Sequence, residues 1–207
     1  HGSYNWYSVL YDRDGLHEPI KTPISQWKKP YLEVGKSAIS PNGLKYIYHS
    51  DRDQFIILDF DRCNGIFSFF KQDSIPDEEV KVSEGHNIEF SPNGRFLYLN
   101  NYFKIYQFDM EDSDFHNSRT LIAEFDTSQV NDFPPKGYFS NPIRGLDNKL
   151  YYWSGNSARH VHRIAFPDQK GPDVGWTQDF YTLPTYPTWF TPTLIDYGMG
   201  PIEGSPC

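Results

Sequence analysis

His160 and His162 alternate along the run 159–165, which has the period of a strand, so an extended backbone puts both imidazoles on one side. Two imidazoles on one face are half of a metal site; on an exposed sheet face they are simply solvated bases. Asp59 and Asp61 alternate in the same way at a strand end, and Asp51 and Asp53 flank Arg52. Paired carboxylates are what general acid–base and glycoside chemistry requires. Next to Arg62 the same aspartates also suit turn capping and solubility. Asp109, Glu111, Asp112 and Asp114 gather acid in one loop, but without the sharp-turn glycine and closing glutamate of a calcium loop. Serine, histidine and aspartate are all present, yet no G-x-S-x-G elbow marks a nucleophile. Trp6, Trp153, Trp176 and Trp189 have the flat faces of a sugar-stacking platform, and equally the bulk of a core between sheets. No residue is assigned a catalytic role, and no metal or cofactor is expected.

Cys63 and Cys207 are the two cysteines. Neither has a C-x-x-C partner or a histidine at ligand spacing, which argues against zinc. Three arrangements are open: a disulfide between them, two free thiols, or pairing with further chain.

These groups are positioned by a repeat. Ser40-Pro41-Asn42-Gly43 is followed by Leu44–Ser50, and Ser91-Pro92-Asn93-Gly94 by Arg95–Asn100. Each copy reads as strand, tight turn, strand. Proline fixes φ near −65°, while Asn and Gly tolerate φ > 0, so Gly43 and Gly94 are the expected turn glycines. The later halves match as well: Ile57–Asp61 lies over Ile105–Asp109. A unit of about fifty residues built from short strands is the signature of a propeller repeat. The fold class expected is therefore all-β, part of a β-propeller.

Taken in order, residues 1–30 give two strands around the turn Asp12–Gly15, a partial blade. Residues 36–70, 86–125 and 137–183 give three four-stranded blades, the last with an Asp147-Asn148 turn in place of SPNG. The insertion Pro167–Val174 reads as an exposed loop. Residues 184–207, with prolines at 184, 187, 192 and 201, form an extended strap. All of 1–207 is one partial propeller domain. Propellers close with four to eight blades, and open blade edges invite unwanted pairing. The chain is thus expected to meet another protein chain or further blades of its own.

Composition limits the partners. The 207 residues carry a net charge of −8, and Lys28-Lys29 is the only adjacent basic pair, which excludes the basic face of a nucleic-acid binder. No apolar run is long enough to span a membrane as a helix. Aromatic residues make up 17% of the chain, so Tyr and Phe must fill much of the core.

The order SPNG-x-x-x-Y, DFDRC-x-G, FSPN-x-RFLY and IYQFD resembles a group of secreted β-propeller proteins of Bacteroidota that often end in a type IX secretion sorting domain. The likeness continues through Gly145–Tyr151 and Leu183–Tyr186 to Tyr197–Cys207, similar to an LP…Y-x-LGP-x-DGSPCD ending. It departs where the third copy lacks Pro-Asp-Gly, and where the loop 167–176 holds no cysteine. The resemblance implies fold and an extracellular or outer-surface location; it carries over no catalytic residue. The functional expectation is a non-catalytic binding or assembly module, with a propeller enzyme acting on a glycan or peptide as the alternative.

Overall fold

The computed structural model describes residues 5–26, 35–50, 54–74, 87–101, 103–126, 138–154 and 158–186. Among these there is no α-helix, and every sheet is antiparallel. At the N-terminal end, β1 (Asn5–Ser8) pairs with β4 (Ile20–Pro23), and β2 (Tyr11–Asp12) with β3 (Gly15–Leu16) forms the hairpin tip.

Three four-stranded sheets follow. Blade 1 is β5 (Gly35–Ile39), β6 (Lys45–Ser50), β7 (Gln54–Asp61) and β8 (Ile66–Ser74). Blade 2 is β9 (Asn87–Phe90), β10 (Phe96–Asn100), β11 (Lys104–Asp109) and β12 (Thr120–Glu124). Blade 3 is β13 (Phe139–Arg144), β14 (Leu150–Ser154), β15 (His160–Ile164) and β16 (Trp176–Thr182). In each, neighbours in sequence are neighbours in the sheet. First strands adjoin: β9 lies beside both β5 and β13. Meanders packed face to face around adjacent first strands are the blades of a propeller.

The core lies between blades. Along β10, Leu97 and Leu99 join Ile47, Phe55 and Ile57 of blade 1, while Phe96 and Tyr98 join Leu150, Tyr152 and Ile164 of blade 3. All five residues of β10 are buried, because a strand between two blades has no water-facing side. Each fully buried large side chain contributes about 1.5–3 kcal/mol, so these rows dominate stability. On the other side of blade 1, Trp6 and Ile24 of the hairpin cover Ile56, Leu58 and Phe67. The hairpin is pinned there by Ser8, whose hydroxyl donates to the Gly65 carbonyl, and by the Phe67 N–H, which donates to Thr22 Oγ1 at 3.4 Å.

Three residues of SPNG hold the turn by hydrogen bonds. The Ser91 carbonyl accepts the Gly94 N–H at 2.9 Å, and its hydroxyl accepts the Phe96 N–H at 2.9 Å while donating to Asn93 Oδ1 at 2.7 Å. Asn93 Oδ1 also accepts the Arg95 N–H. Ser40, Asn42 and Gly43 repeat these bonds. Gly43 and Gly94 adopt φ of 71° and 76°.

The third turn keeps the conformation with different residues. Asn148 takes the left-handed position at φ 59° and donates its N–H to the Gly145 carbonyl. This turn is one residue shorter: Gly145 N–H bonds Lys149 O, where Ser91 N–H bonds Phe96 O. Tyr151 is therefore the counterpart of Tyr98, as the cross-strand pairs Tyr151–Arg163 and Tyr98–Gln107 confirm. The sequence reading needs one further correction. Pro167–Val174 is an exposed loop only in part: Asp168–Lys170, Pro172 and Asp173 face solvent, but Pro167, Gly171 and Val174 are buried, and 171–174 form a 3₁₀ turn against blade 2. Asp51–Asp53 and the strap beyond Tyr186 lie outside the described residues.

Candidate functional site

Up-and-down connectivity puts the first and third turns of every blade on one face of the arc. This turn face gathers the carboxylates singled out above. Asp59 is ion-paired with Lys45, whose ammonium also lies over the Phe70 ring at 3.4 Å. Asp61 caps its own turn, accepting the N–H groups of Cys63 at 2.9 Å and Asn64 at 3.1 Å and the Asn64 side-chain amide at 2.7 Å. The Asn64 bonds hold the Asp61 carboxyl below the usual carboxylate range. Asp59 and Asp61 are thus engaged separately rather than converging on one site.

Asp109 pairs with Phe96 as Asp59 pairs with Lys45, so the ladder corrects the sequence alignment by two residues and sets Asp59, not Asp61, over Asp109, whose side chain is 3% exposed. Arg95 grips it through Nε at 3.1 Å and Nη2 at 2.9 Å, and Lys170 of blade 3 approaches to 3.4 Å. Arg95 holds its pKa down, as a fork-shaped donor does. Glu111 lies 3.4 Å from Arg95 and Asp112 3.8 Å from Lys170, while Asp114 caps the turn at Asn117. The acidic loop is spent on cations and backbone amides. No group of three or more metal-binding side chains converges among the described residues.

His160 and His162 have separate environments. His162 is fully buried, whereas the His160 side chain is 40% exposed. The Asp179 backbone N–H donates to His162 Nδ1 at 3.0 Å, so Nδ1 holds the lone pair and the proton sits on Nε2. Nε2–H then donates to Ser154 Oγ at 2.7 Å. Asp179 Oδ1 lies 3.4 Å from Nδ1, which completes a Ser154–His162–Asp179 set. A serine triad needs the opposite tautomer, with Nδ1–H on the carboxylate and Nε2 accepting the serine proton. Here both imidazole nitrogens are committed, and Ser154 is sealed at 3% exposure. Burial, then the nearby His160, lower the His162 pKa to about 3. The cluster secures a bulge: the β15–β16 register shifts between Val161 and Arg163, and Asp179 adopts φ 52°.

The tryptophans do not share a platform. Trp6 packs edge-on against Tyr46 and Tyr48 under the hairpin, and Trp176 stacks on His162 between blades 2 and 3. Trp153 faces away from blade 2 at the other end of the arc, and Trp189 lies outside the described residues. Cys63 sits in the exposed β7–β8 turn and is held in a disulfide. Cys207 lies outside the described residues.

Sequence reasoning missed a clasp between blades 2 and 3. Gln107 Nε2 donates to Tyr98 Oη and to the Gln169 carbonyl, both at 2.7 Å, and its Oε1 accepts the Gly171 N–H at 2.8 Å. Tyr98 Oη donates to the Pro167 carbonyl at 2.7 Å, and Asp168 accepts the Asn93 N–H at 3.0 Å. The one signal in the sequence was Gln107 itself, a polar residue inside Ile105-Tyr106-Gln107-Phe108.

Comparison with protein-family profiles finds no match, and comparison with curated protein sequences finds none. Solved structures do match. A protein from Lactobacillus plantarum aligns at 17% identity and a TM-score of 0.55, over 89% of this chain and 51% of that one. A functionally unknown protein from Desulfotomaculum acetoxidans aligns at 19% identity and 0.52, over 86% and 48%. The β-propeller domain of Cps50 from Myceliophteria thermophila aligns at 12% identity and 0.43, over 78% and 52%. At these identities the likeness shows the fold alone, and the chain spans about half the length of these structures.

Proposed function

We propose that this chain is the blade-bearing part of a non-catalytic binding or assembly module that works outside the cell. The observation that carries the reading is where polar and apolar groups are spent. On the turn face, Asp59, Asp61, Asp109 and Asp147 are each occupied by a cation or by capped amides. At the two ends of the arc, apolar side chains face outward: Tyr11 and Leu16 on the hairpin, Phe180 and Tyr181 on blade 3. Such faces bind protein surfaces. The disulfide at Cys63 supports an oxidising, extracytoplasmic setting.

The test is a panel of chromogenic glycosides and peptides offered to the purified chain. No turnover above buffer is expected. Turnover that disappears on Asp109→Asn or Asp59→Asn, with folding unchanged by circular dichroism, would establish the propeller-enzyme reading instead.

A further inference from the structure

We infer that Asp179 is the moving part of an acid-operated latch: neutral His162 holds its backbone N–H, and protonated His162 turns to its carboxylate and frees the end of β16. The latch stands on its own geometry; only its consequence for binding rests on the module reading above.

Two groups of one residue face one imidazole nitrogen. The Asp179 N–H donates to His162 Nδ1 at 3.0 Å, and Asp179 Oδ1 lies 3.4 Å from the same atom. Only an unprotonated nitrogen accepts the N–H. A proton on Nδ1 sets two donors against each other, and the carboxylate becomes the partner. Nε2–H keeps Ser154 in both states. The backbone has a reason to leave. Asp179 sits at φ 52°, which a non-glycine residue keeps only where something holds it. There Gln178, Asp179 and Phe180 of β16 together oppose His162, because the register slips between Val161 and Arg163.

The surroundings admit the charge and confine the movement. Trp176 stacks on His162 with ring centroids 5.7 Å apart, and an indole face attracts a cation. β15 itself brings His160, which disfavours a second positive charge. β14 brings the Ser154 hydroxyl and Tyr152, which burial keeps neutral. Phe125 and Phe139 bring uncharged rings. The Asp179 side chain is 28% exposed, so water reaches the carboxylate beside the sealed imidazole. On the turn-face side of the bulge, Trp176 and Thr177 stay paired with Ile164 and Arg163. The Gln178 side chain also bonds the Asp126 N–H at 3.0 Å and its carbonyl at 3.2 Å. Release is thus limited to 179–182, the stretch that carries exposed Phe180 and Tyr181. Acid rearranges the outward apolar end of blade 3 without opening the blade.

Hydrogen exchange resolved by NMR on the full chain tests this. The latched imidazole takes its proton at about pH 3, and a freed one near the ordinary 6.5. Those two values make the freed form about twentyfold more populated at pH 5 than at pH 7. The Asp179 amide should therefore exchange about twentyfold faster at pH 5, corrected for the intrinsic rate, while the Tyr152 amide of β14 holds. His162→Gln, whose side chain accepts from Asp179 and donates to Ser154 without titrating, should abolish the response. Asp179→Asn, which keeps the backbone bond and loses the carboxylate, should diminish it. Equal protection of Asp179 at both pH values, a loss shared by Tyr152, or a response undiminished by either substitution would overturn the latch. Exchange is read without partner or substrate, so a pH-independent Asp179 amide sinks this inference and leaves the module reading standing.

Discussion

The side-chain oxygen of Gln107 in blade 2 accepts the backbone N–H of Gly171 in blade 3 at 2.8 Å. The same amide donates to Gln169 O in blade 3 and to Tyr98 Oη in its own blade, so one buried side chain satisfies three groups, two of them across the blade boundary. Gln107→Leu keeps the bulk and removes all three bonds. Leaving buried groups unsatisfied costs about 1–3 kcal/mol each, and partial relaxation of the clasp should bring the total to about 2–3 kcal/mol. Urea unfolding measures it; a loss below about 0.5 kcal/mol would show that the clasp does not couple the blades.

His162 predicts an acid-labile fold. Its folded pKa of about 3 lies below the ordinary value of 6.5, so the unfolded chain binds the proton first. The stability it contributes is fully present above pH 6.5 and is lost as pH falls toward 3, by up to about 1.4 kcal/mol per pH unit. The charged and titratable groups facing it are His160 and Asp179. Asp61, Asp109, Asp114 and Asp147 also have lowered pKa values, but an ordinary value of 3.8 confines their effect to more acid conditions. The window from pH 6 to 4.5 therefore isolates the histidines. Unfolding free energy should fall through it, and His162→Leu, less stable at neutral pH, should flatten the slope. An equal slope in the variant would refute the assignment.

The left-handed turn positions should rank by residue type. A Cβ on Gly94 would meet only Pro41 Cδ, at 3.5 Å, so space is available and φ of 76° is what penalises a side chain. Gly94→Ala should cost about 1 kcal/mol and Gly94→Val more. Asn148→Gly should be close to neutral, because Asn already tolerates this region, and Asn148→Val should cost as much as Gly94→Val. Thermal unfolding of the four variants checks the order.

Cys63 is disulfide-bonded, and Cys207 is the only other cysteine in the chain. We expect tryptic peptides containing the two to travel together in unreduced mass spectrometry and to separate on reduction. A bond closing so long a loop is worth on the order of 4–5 kcal/mol in the chain-entropy model. Cys63→Ser should lower the midpoint of unfolding by a comparable amount. Peptides that never co-migrate would exclude the pairing.

The blades were legible because their cause is local. Ser91, Asn93 and Gly94 make the bonds that shape the turn within six residues, and the alternation after them sets which side is buried. The clasp was illegible because Gln107 and Gly171 are 64 residues apart, and Pro, Gly and Asp look alike in a solvated loop and a docked one. The shorter third turn was missed for a related reason: Asn148 imitates Gly94, and only the Gly145–Lys149 bond reveals the deleted residue. Alternation placed His160 and His162 on one face, but the proton position on His162 follows from a bulge at Asp179 that periodicity does not encode.

The most direct test of the account is hydroxyl-radical footprinting of the chain at rising protein concentration. Binding through the ends of the arc predicts that Tyr11 and Leu16 on the hairpin, and Phe180 and Tyr181 on blade 3, lose labelling as concentration rises. Phe166 and Leu146 on the turn face, 60% and 100% exposed, should stay labelled throughout. Protection of Phe166 and Leu146 with the four end residues still labelled would contradict the account and make the turn face the working surface.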